Sequence, residues 1–313
     1  MRYRVYSEYL RQRYGEKVYK LPVSLPVTCP NRDGTCGTDG CVFCGEIGAG
    51  YENLPASLSV ADQIAANIAH IAPKYKANKY IAYFQNFSNT YLPPAVLAGN
   101  LDQACVPGVV GIAVATRPDC LGDKHLETLA AVRDARGVDI SLELGLQPVN
   151  YHSLLKVNRG HTLAEFIDAV IRAKKYGIET CAHIILNLPW DDITDTIENA
   201  KLLSALGVEQ AKLHALYIVK GTVMADWYAA GEINLISREQ YVERVVTFLE
   251  YLHPDIVIQR LVGRAPASHT LFANWHSGWW TIRDDIERRL EELDTRQGRL
   301  CTYLGGAAAG KFL

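Results

Sequence analysis

The stretch Cys29-Pro-Asn-Arg-Asp-Gly-Thr-Cys36-Gly-Thr-Asp-Gly-Cys41-Val-Phe-Cys44 places four of the chain's eight cysteines within sixteen residues. Cys41 and Cys44 form a CxxC pair, which can hold one soft metal centre from a short turn. Cys29 stands at the end of the first expected strand, Lys17–Val27, and glycines such as Gly37 and Gly40 let the loop bend sharply around an object. Three chemistries compete at this point. A zinc site would use all four thiolates in a closed tetrahedron. A redox CxxC would need no other partner. An iron–sulfur cluster held by three cysteines would leave one iron open to another ligand. Structural zinc usually staples small modules, whereas this loop leaves a strand at the expected active-site rim of a large α/β domain. Position therefore favours the cluster.

Outward from the loop, β-rich runs alternate with helical patterns. The expected strands after Lys17–Val27 are Lys79–Gln85, Val109–Thr116, Asp139–Gln147, Glu179–Leu188, Glu209–Val219 and Asp255–Gly263. One strand, one helix and two short loops need about 30 residues, which is close to the spacing of the starts from Lys79 to Glu209. Thr162-Leu-Ala-Glu165 and Ser237-Arg-Glu-Gln240 read as capping boxes, and Gly207 and Gly231 follow helical stretches. The expectation is a parallel α/β sheet, open or curved into a full or partial barrel. Late in three strands, polar residues stand two or four apart: Glu143 and Gln147, His183 and Asn187, Lys212 and His214. Such spacings share a strand face. Barrel interiors are normally apolar and chemistry gathers at C-terminal strand ends, so the pairs point to a lined site.

Composition bounds the partners. The 313 residues are 49% hydrophobic and 21% charged, as in an ordinary globular chain, and a net charge of −2 gives no global pull toward nucleic acid or membrane. No apolar run reaches the roughly 18 residues of a spanning helix. The charged N-terminus is no secretory signal, so a cytoplasmic location with free thiols is expected. Residues 1–20 interleave Arg2, Arg4, Arg11, Arg13, Lys17 and Lys20 with five tyrosines. Two readings stand side by side: an RNA-facing patch of cations and stacking rings, or an amphipathic cover for the barrel bottom.

With these residues in view, the chain resembles the YtqA/YhcC-like radical S-adenosylmethionine (SAM) family, related to the Elp3-like radical SAM enzymes. The distinctive elements are Cys29-Pro-Asn-Arg-Asp-Gly-Thr and Gly40-Cys41-Val-Phe43-Cys44, a Cx11Cx2C spacing in place of the common Cx3Cx2C. Ser88-Asn89-Thr90-Tyr91, Thr116-Arg117-Pro118-Asp119-Cys120, Glu143-Leu-Gly-Leu-Gln147 and Asn158-Arg159-Gly160-His161 follow in family order. Two departures stand out. A Gly-Leu-Pro-Gly-Glu-like turn is replaced by Asn187-Leu-Pro189-Trp190-Asp191-Asp192, and a Gly-Asp-Ala-Pro-like string by Gly263-Arg264-Ala265-Pro266.

The resemblance implies a radical SAM partial (βα)6-type barrel over residues 17–263, preceded by a basic segment over 1–16 and followed by a C-terminal extension over 264–313. It implies a [4Fe–4S] cluster on Cys29, Cys41 and Cys44, with SAM chelating the open iron and cleaved reductively to a 5′-deoxyadenosyl radical. Phe43, Gln85, Asn89, Glu143, Gln147 and Arg159 are the implied SAM-side residues; Lys212, His183 and His214 are the candidates for substrate contact or proton transfer. Each also has a plainer role as a core or barrel-lining residue. The Elp3-like relationship implies a tRNA wobble uridine as target and an electron donor such as flavodoxin or ferredoxin. A small-metabolite substrate, or a non-enzymatic zinc-bound interaction protein, remains the alternative.

Overall fold

The computed structural model describes residues 1–46, 48, 50–264 and 267–312. Helix α1 (Tyr6–Tyr14) leads to β1 (Val18–Val23). Helices and strands then alternate through α2 (Val60–Tyr75), β2 (Lys79–Phe84), α3 (Pro94–Ala104), β3 (Val109–Thr116), α4 (Asp123–Arg136) and β4 (Asp139–Gln147). They continue with α5 (Tyr151–Lys156), α6 (Leu163–Lys175), β5 (Glu179–Ile185), α7 (Ile193–Leu206), β6 (Gln210–His214) and β7 (Ile218–Val219). The last elements are α8 (Val223–Ala229), α9 (Arg238–Tyr251), β8 (Val257–Arg260), β9 (Thr270–Phe272) and α10 (Trp279–Glu292).

Seven strands hydrogen-bond in the order β1-β2-β3-β4-β5-β6-β8, while β7 and β9 form a separate antiparallel ribbon. The pairings of β1 with β2, β2 with β3, β3 with β4 and β6 with β8 are parallel. Strands in chain order joined by crossover helices make the parallel α/β sheet that the rhythm of the sequence predicts, in the partial-barrel form that the family resemblance implies. The caps form as expected. Thr162 and Ser237 accept from their helices' first turns, with Glu165 and Gln240 reaching back, and Gly207 adopts the left-handed conformation at the end of α7.

Several strands are shorter than the sequence predicts. β1 stops at Val23 because side chains take over its backbone: Ser24 N donates to Gln63 Oε1 at 2.8 Å. The run Glu209–Val219 divides, with β6 ending at His214 and Leu216 N donating to Asn187 Oδ1 at 2.6 Å, after which β7 pairs with β9. β5 ends at Ile185 and β8 at Arg260. Of the string Gly263-Arg264-Ala265-Pro266, the last two residues lie outside the described residues.

The chain divides into two compact units. The first comprises residues 7–146 and 157–181, the second residues 1–6, 147–156 and 182–313. The first unit buries Leu21, Val23, Phe84, Ile112, Val114 and Leu142 against helix residues Ile64, Leu97, Leu126 and Phe166. Burial of each such side chain contributes about 1.5–3 kcal/mol. In the second unit, Tyr241, Phe248, Leu249, Ile282, Ile286 and Leu290 fill the core, and Tyr241 Oη donates to Leu261 O at 2.9 Å. No helix among the described residues is long and apolar enough to cross a membrane.

Arg13 and Arg2 each have acidic partners within their own unit. In the first, Arg13 pairs with Asp139 and Glu179, the opening residues of β4 and β5, and Tyr9 and Tyr14 donate to the same two carboxylates. In the second, Arg2 pairs with Asp294 at 2.9 Å and Tyr3 donates to Glu287 at 2.9 Å. These contacts favour the structural cover over the RNA-facing patch. The carboxylates that engage Arg13 mark the N-terminal ends of strands, opposite the ends where α/β folds do chemistry.

Candidate active site

The cysteine loop leaves β1 and is shaped by its own backbone. Arg32 N donates to Cys29 O at 2.8 Å, Gly40 N to Asn31 O at 2.7 Å and Cys44 N to Cys41 O at 2.8 Å. A short turn thus carries the CxxC pair. Arg32 clamps the exit by donating Nη2 to the carbonyls of Cys44 and Gly45 at 2.6 and 2.7 Å. Val42 N and Asn158 Nδ2 tie the loop to the segment after α5, donating to Val157 O and Gly40 O. Gly160 lies on that segment at φ +75°, where an added Cβ would stand 2.7 Å from Asn31 Oδ1. Both conformation and closeness require glycine.

Within this unit Cys41 is buried, Cys29 and Cys44 are half-buried and Cys36 is exposed. Burial pushes the Cys44 thiol up; the Cys41 charge adds to this, Arg32 opposes it and Cys29 adds further. Cys41 and Cys29 thus both lie within electrostatic reach of Cys44. Cationic and amide donors surround them. Arg159 Nη1 lies 3.5 Å from Cys41 Sγ, Asn31 Nδ2 3.9 Å from the same sulfur, and Arg117 Nη1 3.9 Å from Cys29 Sγ. Arg117 is itself fixed, with Nε and Nη2 on Asp119 at 2.9 and 2.6 Å and Nη1 on Arg159 O at 2.8 Å. Arg159 Nη2 donates to Gly145 O at 2.7 Å, while its Nε is buried without a partner. His161 is pushed down to about 2 by burial and by Arg159, so it stays neutral beside the two guanidiniums. Cys120, pushed up to about 12 mainly by burial and next by Asp119, stays a thiol.

The family model described as the Radical SAM superfamily matches residues 27–227, nearly two-thirds of the chain. The chain belongs to the radical SAM superfamily. A Radical_SAM C-terminal domain model matches residues 208–292. The chain is 35% identical to the uncharacterized protein YtqA of Bacillus subtilis, over 95% of this chain and 92% of that one. It is 34% identical to YhcC of Escherichia coli K12, over 90% of each. More distantly, it is 22% identical to a tRNA uridine(34) acetyltransferase of Dehalococcoides mccartyi, over 55% of this chain and 38% of that one. Among solved structures, the archaeal Methanocaldococcus infernus Elp3 has the same fold, with a TM-score of 0.67 at 14% identity, covering 90% of this chain and 64% of that one.

The cofactors of this radical SAM enzyme are a [4Fe–4S] cluster and SAM. The donor set suits them. Thiols with guanidinium and amide N–H groups 3.5–3.9 Å from the sulfurs of Cys41 and Cys29 are donor chemistry that a thiolate-bound cluster uses. The unpartnered Arg159 Nε is a donor that a bound anionic group would satisfy.

The other residues singled out by sequence are placed as follows. Phe43 is half-buried inside the CxxC turn, and Gln85, also half-buried, donates its N–H to Val23 O at 3.2 Å. Asn89 is fully buried and Nδ2 reaches the carbonyls of Phe84, Asn86 and Ala115 at 2.9–3.0 Å; Oδ1 is buried without a partner. Glu143 is buried on β4 and forms an ion pair with Lys20. Gln147, the last residue of β4, holds φ +78°, a conformation that costs a non-glycine residue about 1–2 kcal/mol. In the second unit, His183 on β5 and His214 on β6 have ring centroids 5.2 Å apart, and Lys212 is buried on β6. The Asn187–Asp192 departure is built into the scaffold there. Asp192 caps α7, and Trp190 lies edge-on to Trp227. Sequence reasoning named neither Arg117 nor Asn31 as a site residue; their one signal was membership of the Thr116–Cys120 and Cys29–Cys44 strings.

Proposed function

We propose that Cys29, Cys41 and Cys44 hold the cluster and that this radical SAM enzyme modifies the side chain of a wobble uridine in tRNA. The grouping of those three thiols with Arg117 and Arg159, while Cys36 stands exposed, carries the ligand assignment. When bound, the cluster and SAM supply a 5′-deoxyadenosyl radical. The protein's own residues bind, orient and shield. Arg117, locked on Asp119, fixes the Arg159 carbonyl and sets a permanent positive charge beside Cys29. Arg159 offers Nε to the carboxylate of SAM. Glu143, Gln147, Gln85 and Asn89 contribute polar contacts to SAM from the ends of β4 and β2, and Phe43 shields the cluster from water. Lys212, His183 and His214 meet the substrate or move its protons, and we assign residues 17–263 to the radical SAM core and residues 264–313 to a C-terminal extension. A flavodoxin- or ferredoxin-type donor delivers the electron. The tRNA assignment is supported by the similarity to the tRNA uridine(34) acetyltransferase and by the fold shared with Elp3. Arg2 and Arg13 lend it no support, because acidic partners engage them. Nucleosides from tRNA of a strain lacking the gene should be short of one modified uridine found in the parent. Identical nucleoside profiles would overturn the tRNA substrate and favour a small metabolite.

A further inference from the structure

Arg260 closes β8, His214 closes β6, and Lys212 is the Cα partner of Arg260 across the two strands. Ligands of α/β folds bind at such C-terminal strand ends. Arg260 Nη2 lies 2.7 Å from His214 Nδ1 and 3.1 Å from Nε2, and the His214 ring neighbours that of His183. A guanidinium stays charged at any working pH. The guanidinium also lies close to Gly263, where an added Cβ would come within 3.1 Å of Nη2. Arg260 Nε is buried with no hydrogen-bond partner, and among the described residues no carboxylate pairs with this side chain. A permanent charge facing imidazole and glycine, with a buried donor left over, is a receptor shaped for an anion.

We propose that Arg260, with His214, His183 and Lys212 beside it, forms a subsite for an oxyanion of the substrate, a carboxylate or a phosphate. The proposal rests on the assignment of Lys212, His183 and His214 to the substrate side, and it adds Arg260 and the charge of the ligand. Nε–H and a terminal N–H of one guanidinium can engage two oxygens of a planar or tetrahedral anion at once. His214 holds the fork in place from the side.

The test is a thermal-shift titration of the full-length, cluster-loaded protein with inorganic phosphate and, separately, with acetate. Chloride at matched ionic strength serves as the control. At least one oxyanion should raise the melting temperature saturably above the chloride control. Arg260→Met, loaded with the same amount of iron, should lose that response at least tenfold in apparent affinity, and Arg260→Gln should behave alike if the Met variant does not fold. A response to phosphate alone assigns a phosphorylated or nucleic-acid substrate; a response to acetate alone assigns a carboxylate. No saturable response to either anion in the wild type, or an unchanged response in the Arg260 variants, overturns the subsite. Neither arm uses SAM or tRNA. Loss of anion binding therefore leaves the tRNA assignment standing, and unchanged nucleosides in the deletion strain leave the subsite standing.

Discussion

Replacing Asp191 with Asn should stabilise the protein, and by more as pH rises. Asp191 is buried and accepts a hydrogen bond from Ser153 Oγ. Its carboxyl is pushed from 3.8 up to about 6, chiefly by burial; the Ser153 bond opposes the shift, Asp195 adds to it, and Arg244 opposes it. A raised acid is penalised only when ionised. Below the unfolded value of 3.8 the penalty is absent, it grows as pH rises through the window from 3.8 to about 6, and above that it is complete. At about 1.4 kcal/mol per pH unit, the penalty is about 1.6 kcal/mol at pH 5 and about 3 kcal/mol at pH 8. Asn keeps an oxygen for Ser153 and carries no charge. The gap in melting temperature between Asp191→Asn and wild type should therefore widen by about 3–5 °C between pH 5 and pH 8, at about 2–4 °C per kcal/mol. Differential scanning fluorimetry of both proteins across that range is sufficient. An equal gap at both pH values, or a variant less stable than wild type at pH 8, would refute the assignment of a buried, ionised Asp191.

Lys20→Met removes a cation paired with the buried Glu143, so the urea midpoint should fall by an amount corresponding to at least about 1 kcal/mol, and adding Glu143→Gln should recover part of the loss. Gly160→Ala forces a left-handed alanine against Asn31 Oδ1; it should cost about 1–2 kcal/mol and lower the iron retained after reconstitution, measured by colorimetric iron assay. Combined replacement of Arg2, Arg4, Arg11 and Arg13 by Gln should lower the melting temperature and leave tRNA affinity in a filter-binding assay unchanged, because Arg2 and Arg13 serve acidic partners within the fold.

The parallel core was legible in the patterning of its strands: Val109–Thr116 is apolar on both faces, and Asp139–Gln147 alternates Ile140, Leu142, Leu144 and Leu146 with a largely polar face. Val109–Thr116 and Asp139–Gln147 are bounded as the sequence predicts, since β-branched runs end there in turn residues. Strand ends set by distant side chains were not legible. No local pattern announces that Asn187 will take the N–H of Leu216 and end β6, so Ala215 to Val219 reads as more of the same strand. At the candidate site, the Cx11Cx2C spacing and the strings after the strands pointed to segments that the structure brings together around Cys29 and Cys41. Which side chains would face the sulfurs was hidden, because Arg117 reaches Cys29 from 88 residues away and Arg159 reaches Cys41 from 118. The N-terminal cations show the limit of composition. Their basic, tyrosine-rich string fits RNA, and only the fold reveals Asp139 and Glu179 facing Arg13.

The central claim is that three cysteines, and not four, hold an iron–sulfur cluster that cleaves SAM. Iron, sulfide and zinc should be measured in anaerobically reconstituted wild type and in the Cys29→Ala, Cys41→Ala, Cys44→Ala and Cys36→Ala variants, with 5′-deoxyadenosine quantified after reduction in the presence of SAM. About four irons per chain and 5′-deoxyadenosine formation are predicted for wild type and Cys36→Ala, with both lost in the other three variants. A colourless protein with one zinc per chain, lost on replacing any of the four cysteines, and no 5′-deoxyadenosine would contradict the account.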